Sequence, residues 1–526
     1  MKWQSAPAQL RRLIGVAAVG VDLQWRALAM TIVGYAYFLR IVYGAQVELI
    51  PEEAYYWNYS RHLDIGYLDH PPLVAWLIRA GTGLLGNTEI GVRLGAICCG
   101  MTAAFFVFRL TRNLFGEMSA LLALSLLQVL PFFFLSGMLM TPDAPLTAAW
   151  AASLYFLERA LIGGRAGAWG WAGVSVGIGL ISKYTIGLLG IAAFAFMVAD
   201  PPSRRWLRRF EPYAAVLIAA VVFAPVIFWN AAHHWASFAF QTSRRLAEPA
   251  RFSLHKFAGS MLAVLSPPGL LAAGAALLAP NPRARASRLL RVSVMVPLAV
   301  FALFSLRHEV KLDWTGAAWV AVVPLMAVGL AEAIAGGPGA RRWLRFMWPP
   351  TMMVMLLAYG VGLYYLAAGI PGLGYTGHTE LVPVEWRDFA RQIDAVAEGL
   401  RANSDGKLLV VGMDRYAIAS ELAFYSQDQP RAVSATSSSH LFGDVGLMYE
   451  QWFPIEALSG RTLLLVSWDP ADLAATRLGN RVNALDPVQE GVLMRDGRLV
   501  RRYYYRVAHG YKPPCASVVR YTMCDP

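Results

Sequence analysis

The stretch PEEAYYWNYSRHLDIGYLDHPPL, residues 51–73, gathers two glutamates, a run of aromatic rings, and an Asp-His pair set against two prolines. Glu52 and Glu53 follow Pro51, so both fall in a first helical turn, where proline fits and acids meet the positive end of the helix dipole. That placement alone would account for them. The chemical alternative is that one of them is a general base, taking a proton from a hydroxyl that becomes a nucleophile. Neighbouring helical positions point about 100° apart, so only one of the two would face a site. Tyr55 is a candidate orienting or acceptor-contacting side chain on the same turn.

Asp69 and His70 either cap the helix that Pro71 and Pro72 open or, beside a phosphate, do chemistry. In that case His70 donates to the phosphate while Asp69 orients it or holds a divalent cation. Two residues do not make a metal site, so no cofactor is assigned and a divalent metal stays an open alternative. Asp143, in TPDAP, reads by spacing as a helix-start residue and by its side of the membrane as a second acidic site residue. Lys183, in SKYT, sits between two apolar halves, where an ionisable group normally has a partner or a task. Arg307, His308 and Lys311 repeat the anomaly in LRHEVKLDW, as do Arg244, Arg245 and Arg251 in an earlier loop. Cations gathered on that side call for an anion, most simply a lipid phosphate. With a carboxylate able to activate a hydroxyl, the residues suggest group transfer from a lipid phosphate to an acceptor outside the cytoplasm.

The elements that must carry these residues are membrane spans. The chain has 526 residues, 57% apolar and only 15% charged, with positive mean hydropathy, which places it in the membrane class. The net charge of +12 does not indicate nucleic acid, because the basic residues lie in short loops between apolar runs rather than on one arm. Eleven apolar runs emerge, near 27–45, 90–110, 118–136, 143–161, 168–182, 184–199, 213–229, 257–279, 292–306, 314–335 and 347–369. The first is read as a span rather than a cleaved leader, because it is long and no small-residue cleavage site follows. With the amino terminus inside, the basic loops fall in the cytoplasm, as the positive-inside rule requires. Residues 46–89 and the TPDAP, SKYT and LRHEVKLDW turns then lie outside, with everything after about 371.

After Gly372 strand and helix patterns alternate. EWRDFARQIDAVAEGLRA and YAIASELAFYS read as helices, KLLVVGM and RTLLLVSW as buried strands, and GVLMRDGRLVRRYYYRV as a hairpin. The expected architecture is a polytopic α-helical membrane protein of about 11–13 spans, residues 1–370, with outer loop helices at 46–89. A soluble periplasmic α/β domain, residues 371–526, follows it. Cys515 and Cys524, nine positions apart in the exported tail, could form a disulfide.

EEAYYW with YLDHPPLVAWLI, then TPDAP, GLISKYT and WNAAHHWASFAFQ, resemble in that order the ArnT-like and protein O-mannosyltransferase-like glycosyltransferases of the GT-C fold, RgtA/B/C/D-like branch. The resemblance covers about the first 315 residues. It implies a bacterial inner-membrane enzyme with a periplasmic site, taking a polyprenyl-phosphate sugar and transferring it, with inversion, to lipid A, core oligosaccharide, another envelope glycan or lipid, or protein. It implies that Glu52 is the candidate base, at a position where the family usually has aspartate. His70, Lys183, Arg307 and Lys311 would serve the donor phosphate, and His233 matches the WNA histidine. His70 stands where the lipid A branch has lysine, which argues against simple aminoarabinose transfer. A transporter or flippase for a lipid or glycan is the non-enzymatic alternative. Its polar sites would be expected near the bilayer midplane.

Overall fold

The computed structural model describes residues 8–243, 249–279, 283–336, 342–375, 385–401, 408–495 and 497–514. Cys515 and Cys524 lie outside the described residues, as do Arg244 and Arg245.

Each of the eleven apolar runs is helical. Among the described residues six helices are individually long and apolar enough to cross a membrane: Gln24–Gln46, Glu89–Phe115, Glu211–Ala232, Ala284–Ser305, Gly316–Ala335 and Phe346–Ala368. Two further pairs qualify only as bent spans, Tyr184–Ala199 with Pro201–Arg208 at 113° and Leu254–Leu265 with Pro267–Leu278 at 98°. Prolines at the first helical position set both breaks, because their fixed φ and missing N–H suit a new helix start and not the interior of an old one. The run at 118–136 is divided in the same way, into Glu117–Val129 and Pro131–Ser136.

Backbone contacts divide the chain into two compact units. The first comprises Met1–Val42, His70–Val74 and Arg93–Gly360. Its centre is the helix Asp143–Leu161, whose side chains are almost all buried and which packs against Ala168–Leu180 and the 3-10 turn Gly316–Ala321. Small residues let these helices approach: a Cβ on Gly173 would overlap the Ala215 backbone of the helix Glu211–Ala232. Such close approach is how helices gain packing where no hydrophobic drive separates lipid from protein. Asp200, which caps the C-terminal end of the helix Gly187–Ala199, is buried and pairs with Arg285 at 2.8 Å and Arg288 at 3.7 Å.

The second unit comprises Tyr43–Asp69, Ala75–Val92 and Val361–Pro526. It holds a six-stranded mixed sheet of β1 (Leu408–Gly412), β2 (Thr436–Ser438), β3 (Thr462–Ser467), β4 (Ala484–Leu485), β5 (Gln489–Arg495) and β6 (Arg498–His509). The order is β2-β1-β3-β6-β4 with β5 on β6; β1 runs parallel to β2 and β3, and β6 antiparallel to β3. The helix Trp386–Arg401 buries Phe389 and Ile393 against Leu464, Val466 and Tyr503. The two helices, the strands β1 and β3, and the hairpin stand where the sequence patterns place them.

By these contacts residues 43–69 and 75–92 fall with the C-terminal residues, and 70–74 with the first unit. The reason is aromatic and polar packing. Trp57 meets Phe424 edge-on at 5.1 Å, and the Glu48 carboxylate accepts the N–H groups of Trp386 and Arg387 at 2.8 and 3.1 Å. Those are the first two residues of a helix, whose N–H groups have no partner within it.

Candidate active site

Five of the sequence segments meet around Lys183 in the first unit. The helix Ala168–Leu180 stops short of Lys183, which is extended (φ −157°, ψ 130°) before a 3-10 turn at Tyr184–Ile186. The Lys183 ammonium reaches Asp143 Oδ1 and Oδ2 at 2.9 and 3.1 Å and Asp313 Oδ2 at 2.5 Å. Ser182 Oγ donates to the Pro142 carbonyl at 2.7 Å, fixing SKYT to TPDAP a second time. Leu73, next after the paired prolines, donates its N–H to Ile181 O at 3.0 Å. The Tyr184 hydroxyl meets Ser237 Oγ at 2.9 Å, and Asn230 Oδ1 holds that loop by accepting the N–H groups of Ser237 and Phe238 at 3.1 and 3.2 Å.

The three charged groups are unequally placed. The side chains of Lys183 and Asp143 are 9% and 12% exposed, that of Asp313 is 39% exposed. An ammonium has three donors, and here all are directed at carboxylates. Asp313 was not singled out from the sequence; it lies in the LRHEVKLDW turn, where only the cations drew notice. A lysine held inside the membrane part calls for an acid, and that turn offers two, Glu309 and Asp313, of which the fold brings Asp313 to Lys183. Arg307 and Lys311 of the same turn are exposed. Other cations near this turn have anions within the protein: Arg251 and Lys256 both pair with Glu309.

His233 is half-buried, stacked on Trp229 at 4.1 Å, with Nδ1 2.8 Å from Trp229 O. It closes the helix Glu211–Ala232, ahead of a bend in which His234 and Trp235 take positive φ (52° and 60°). Non-glycine residues rarely adopt that conformation, and the bonds to Asn230 sustain it.

In the second unit the helix Pro51–Arg61 separates the two glutamates. Glu53 is buried, and its Oε2 accepts the Ile50 N–H at 3.3 Å. Glu52 is exposed, and its Oε1 accepts the Tyr416 hydroxyl at 3.3 Å. Of the two candidate bases, Glu52 is the one open to solvent.

Tyr55 and Asp69 are core residues. Asp69 Oδ1 accepts the hydroxyls of Tyr59 and, at 3.2 Å, Tyr55, and Tyr55 Oη accepts the Met448 N–H at 3.3 Å. Burial pushes the Asp69 carboxyl above its ordinary range, against the pull of the tyrosine hydroxyls. Among the described residues no three His, Cys, Asp or Glu side chains converge as a metal group.

The sequence profile of dolichyl-phosphate-mannose-protein mannosyltransferases matches residues 69–229, the span that contains Asp143 and Lys183. The lipid A galacturonosyltransferase RgtD of Rhizobium johnstonii is 30% identical over 188 residues, 35% of this chain and 38% of that protein. The lipopolysaccharide core galacturonosyltransferase RgtA of the same organism is 25% identical over 406 residues, 72% of this chain and 76% of the relative. The crystal structure of ArnT from Cupriavidus metallidurans bound to undecaprenyl phosphate superposes with a TM-score of 0.63 at 16% identity, covering 91% of this chain and 98% of that one. The chain has the GT-C fold, and its sequence is similar to members of the ArnT/RgtA-like branch of glycosyltransferases. The match to RgtD spans well under half of that relative's length, whereas the GT-C fold is shared with ArnT over nearly the whole chain.

Proposed function

We propose that the chain transfers a sugar from a polyprenyl-phosphate donor to an envelope glycolipid or glycan on the outer face of the bacterial inner membrane, inverting the anomeric centre. The observation that carries this reading is the junction of four GT-C motif segments at Lys183, an ammonium buried where an anion is to be met. RgtD and RgtA are named as galacturonosyltransferases acting on lipid A and lipopolysaccharide core, which makes a hexuronic acid the donor sugar to test first. Protein as acceptor is the second reading, favoured by the description of the matching profile.

In the reaction Glu52 takes the proton of the acceptor hydroxyl, and the oxygen attacks the anomeric carbon. The bond from that carbon to the phosphate oxygen breaks, and polyprenyl phosphate leaves with the electron pair. Lys183 offsets the charge of the leaving phosphate, with Asp143 keeping the ammonium in place. Asp313, the more exposed carboxylate, is the partner that the phosphate displaces. His70, Arg307 and Lys311 are assigned to the same phosphate.

The test is mass spectrometry of the envelope glycans from a strain lacking the gene, complemented with wild type, Glu52→Gln or Lys183→Ala. Wild type should restore one sugar, whose mass names donor and acceptor. Glu52→Gln should lower transfer by about 10²–10⁴-fold at unchanged membrane abundance. Undiminished transfer by both variants would overturn the assignment.

A further inference from the structure

The exposed base of this reading is held by a residue more than three hundred positions away. Tyr416 stands in the short loop after β1, as the residue just before the helix Ala417–Tyr425. Its loop is fixed on several sides. The Asp414 carboxylate accepts the Ile418 N–H at 3.1 and 3.2 Å, and the Asp414 carbonyl accepts the Ser439 N–H and Oγ–H at 3.1 and 2.8 Å. The Tyr416 ring lies against Tyr55, centroids 4.7 Å apart, and Tyr55 is itself buried and tied to Asp69 and Met448. From this platform the Tyr416 hydroxyl reaches Glu52 Oε1 at 3.3 Å.

Glutamate has three side-chain torsions, and an exposed one samples many rotamers. Fixing it costs on the order of 1–2 kcal/mol. A base must nevertheless be held within hydrogen-bond reach of the proton it removes. A phenol locked by stacking supplies the restraint without taking the proton, since it donates to one carboxylate oxygen and leaves the other free. We infer that Tyr416 is a positioning residue for Glu52, donating to Oε1 so that Oε2 is presented to the acceptor hydroxyl. The inference rests on the reading of Glu52 as the base. It makes the loop after β1 part of the catalytic apparatus, so the C-terminal residues contribute to turnover as well as to any contact with the acceptor.

The test uses the full-length protein in proteoliposomes, with polyprenyl-phosphate galacturonic acid as donor and lipid A or core oligosaccharide as acceptor. The envelope analysis above decides which donor and acceptor are used. Tyr416→Phe keeps the ring on Tyr55 and removes only the hydroxyl. It should lower kcat by about 10-fold or more and leave the donor KM within about 2-fold. In a Glu52→Gln background the same substitution should change the residual rate by less than about 2-fold, because no base remains to be positioned. Tyr449→Phe is the control: it removes another buried hydroxyl, bonded to Ser420 at 3.0 Å, and should leave kcat within about 2-fold. An unchanged kcat in Tyr416→Phe would overturn the proposal, as would equal losses in both Glu52 backgrounds. If Glu52→Gln itself transfers normally, the base assignment has failed. If Glu52→Gln is inactive and Tyr416→Phe is not impaired, only the positioning role has failed.

Discussion

Replacing Asp143 by asparagine tests whether the Lys183 cluster is a buried charge network. The substitution keeps volume and removes one charge beside an ammonium that is 9% exposed. Lys183 would retain Asp313, but that carboxylate is 39% exposed, so its charge is better screened by water. Breaking a buried pair on one side costs about 3–5 kcal/mol, because the remaining charge has lost its counter-charge without regaining water. Asp313→Asn should cost about 1 kcal/mol or less on the same scale. Removing both charges, as in Lys183→Met with Asp143→Leu, should cost less than the sum of the single changes by roughly 2–3 kcal/mol. The assay is equilibrium unfolding in mixed micelles by titration with a denaturing detergent. Trp150, Trp169 and Trp206, all buried in the first unit, serve as fluorescent reporters. Two results would refute the reasoning: Asp143→Asn costing no more than Asp313→Asn, or single changes that simply add.

Two further changes test the framework. Burial pushes the Glu48 carboxyl from 4.5 up to about 7, against the backbone N–H groups that stabilise its charge. A carboxyl raised on folding contributes stability that is complete below about pH 4.5 and is lost as pH rises through about 7; Glu48→Gln should flatten that slope, worth at most about 3 kcal/mol, in unfolding measured from pH 4 to 8. Asp414, raised to about 6 chiefly by burial, adds loss of the same sign in a lower window and remains in the variant as an internal reference. Gly173→Ala places a methyl against the backbone at Ala215, which cannot turn aside as a side chain would. The expected loss is about 1–3 kcal/mol, read as a lower midpoint in the same detergent titration, whereas Gly190→Ala, with open space around it, should be neutral.

The helices were legible because apolar runs between basic loops dictate them, and β1 and β3 because their buried runs are flanked by helix patterns. β2 was not, since Thr436, Ser437 and Ser438 are polar by type yet buried. Their place depends on pairing with β1, which a local pattern does not encode. At the site the anomaly of Lys183 was visible, but Asp313 is 130 positions away, and only tertiary contact selects it. Glu52 and Glu53 differ in nothing local. What separates them is the turning of Glu53 toward Ile50, a consequence of which helical face is buried. Tyr416 carried no signal at all, because a tyrosine before a helix in an α/β pattern is unremarkable.

The cap that Glu48 places on the helix at Trp386 bears on how such proteins can be recombined. A chimaera joined in the linker near residue 370 would take Trp386 from one parent and Glu48, Trp57 and Glu52 from the other, although each has its counterpart in the second unit. The part that can be exchanged intact is therefore discontinuous in the gene: residues 43–69 and 75–92 must travel with the C-terminal segment.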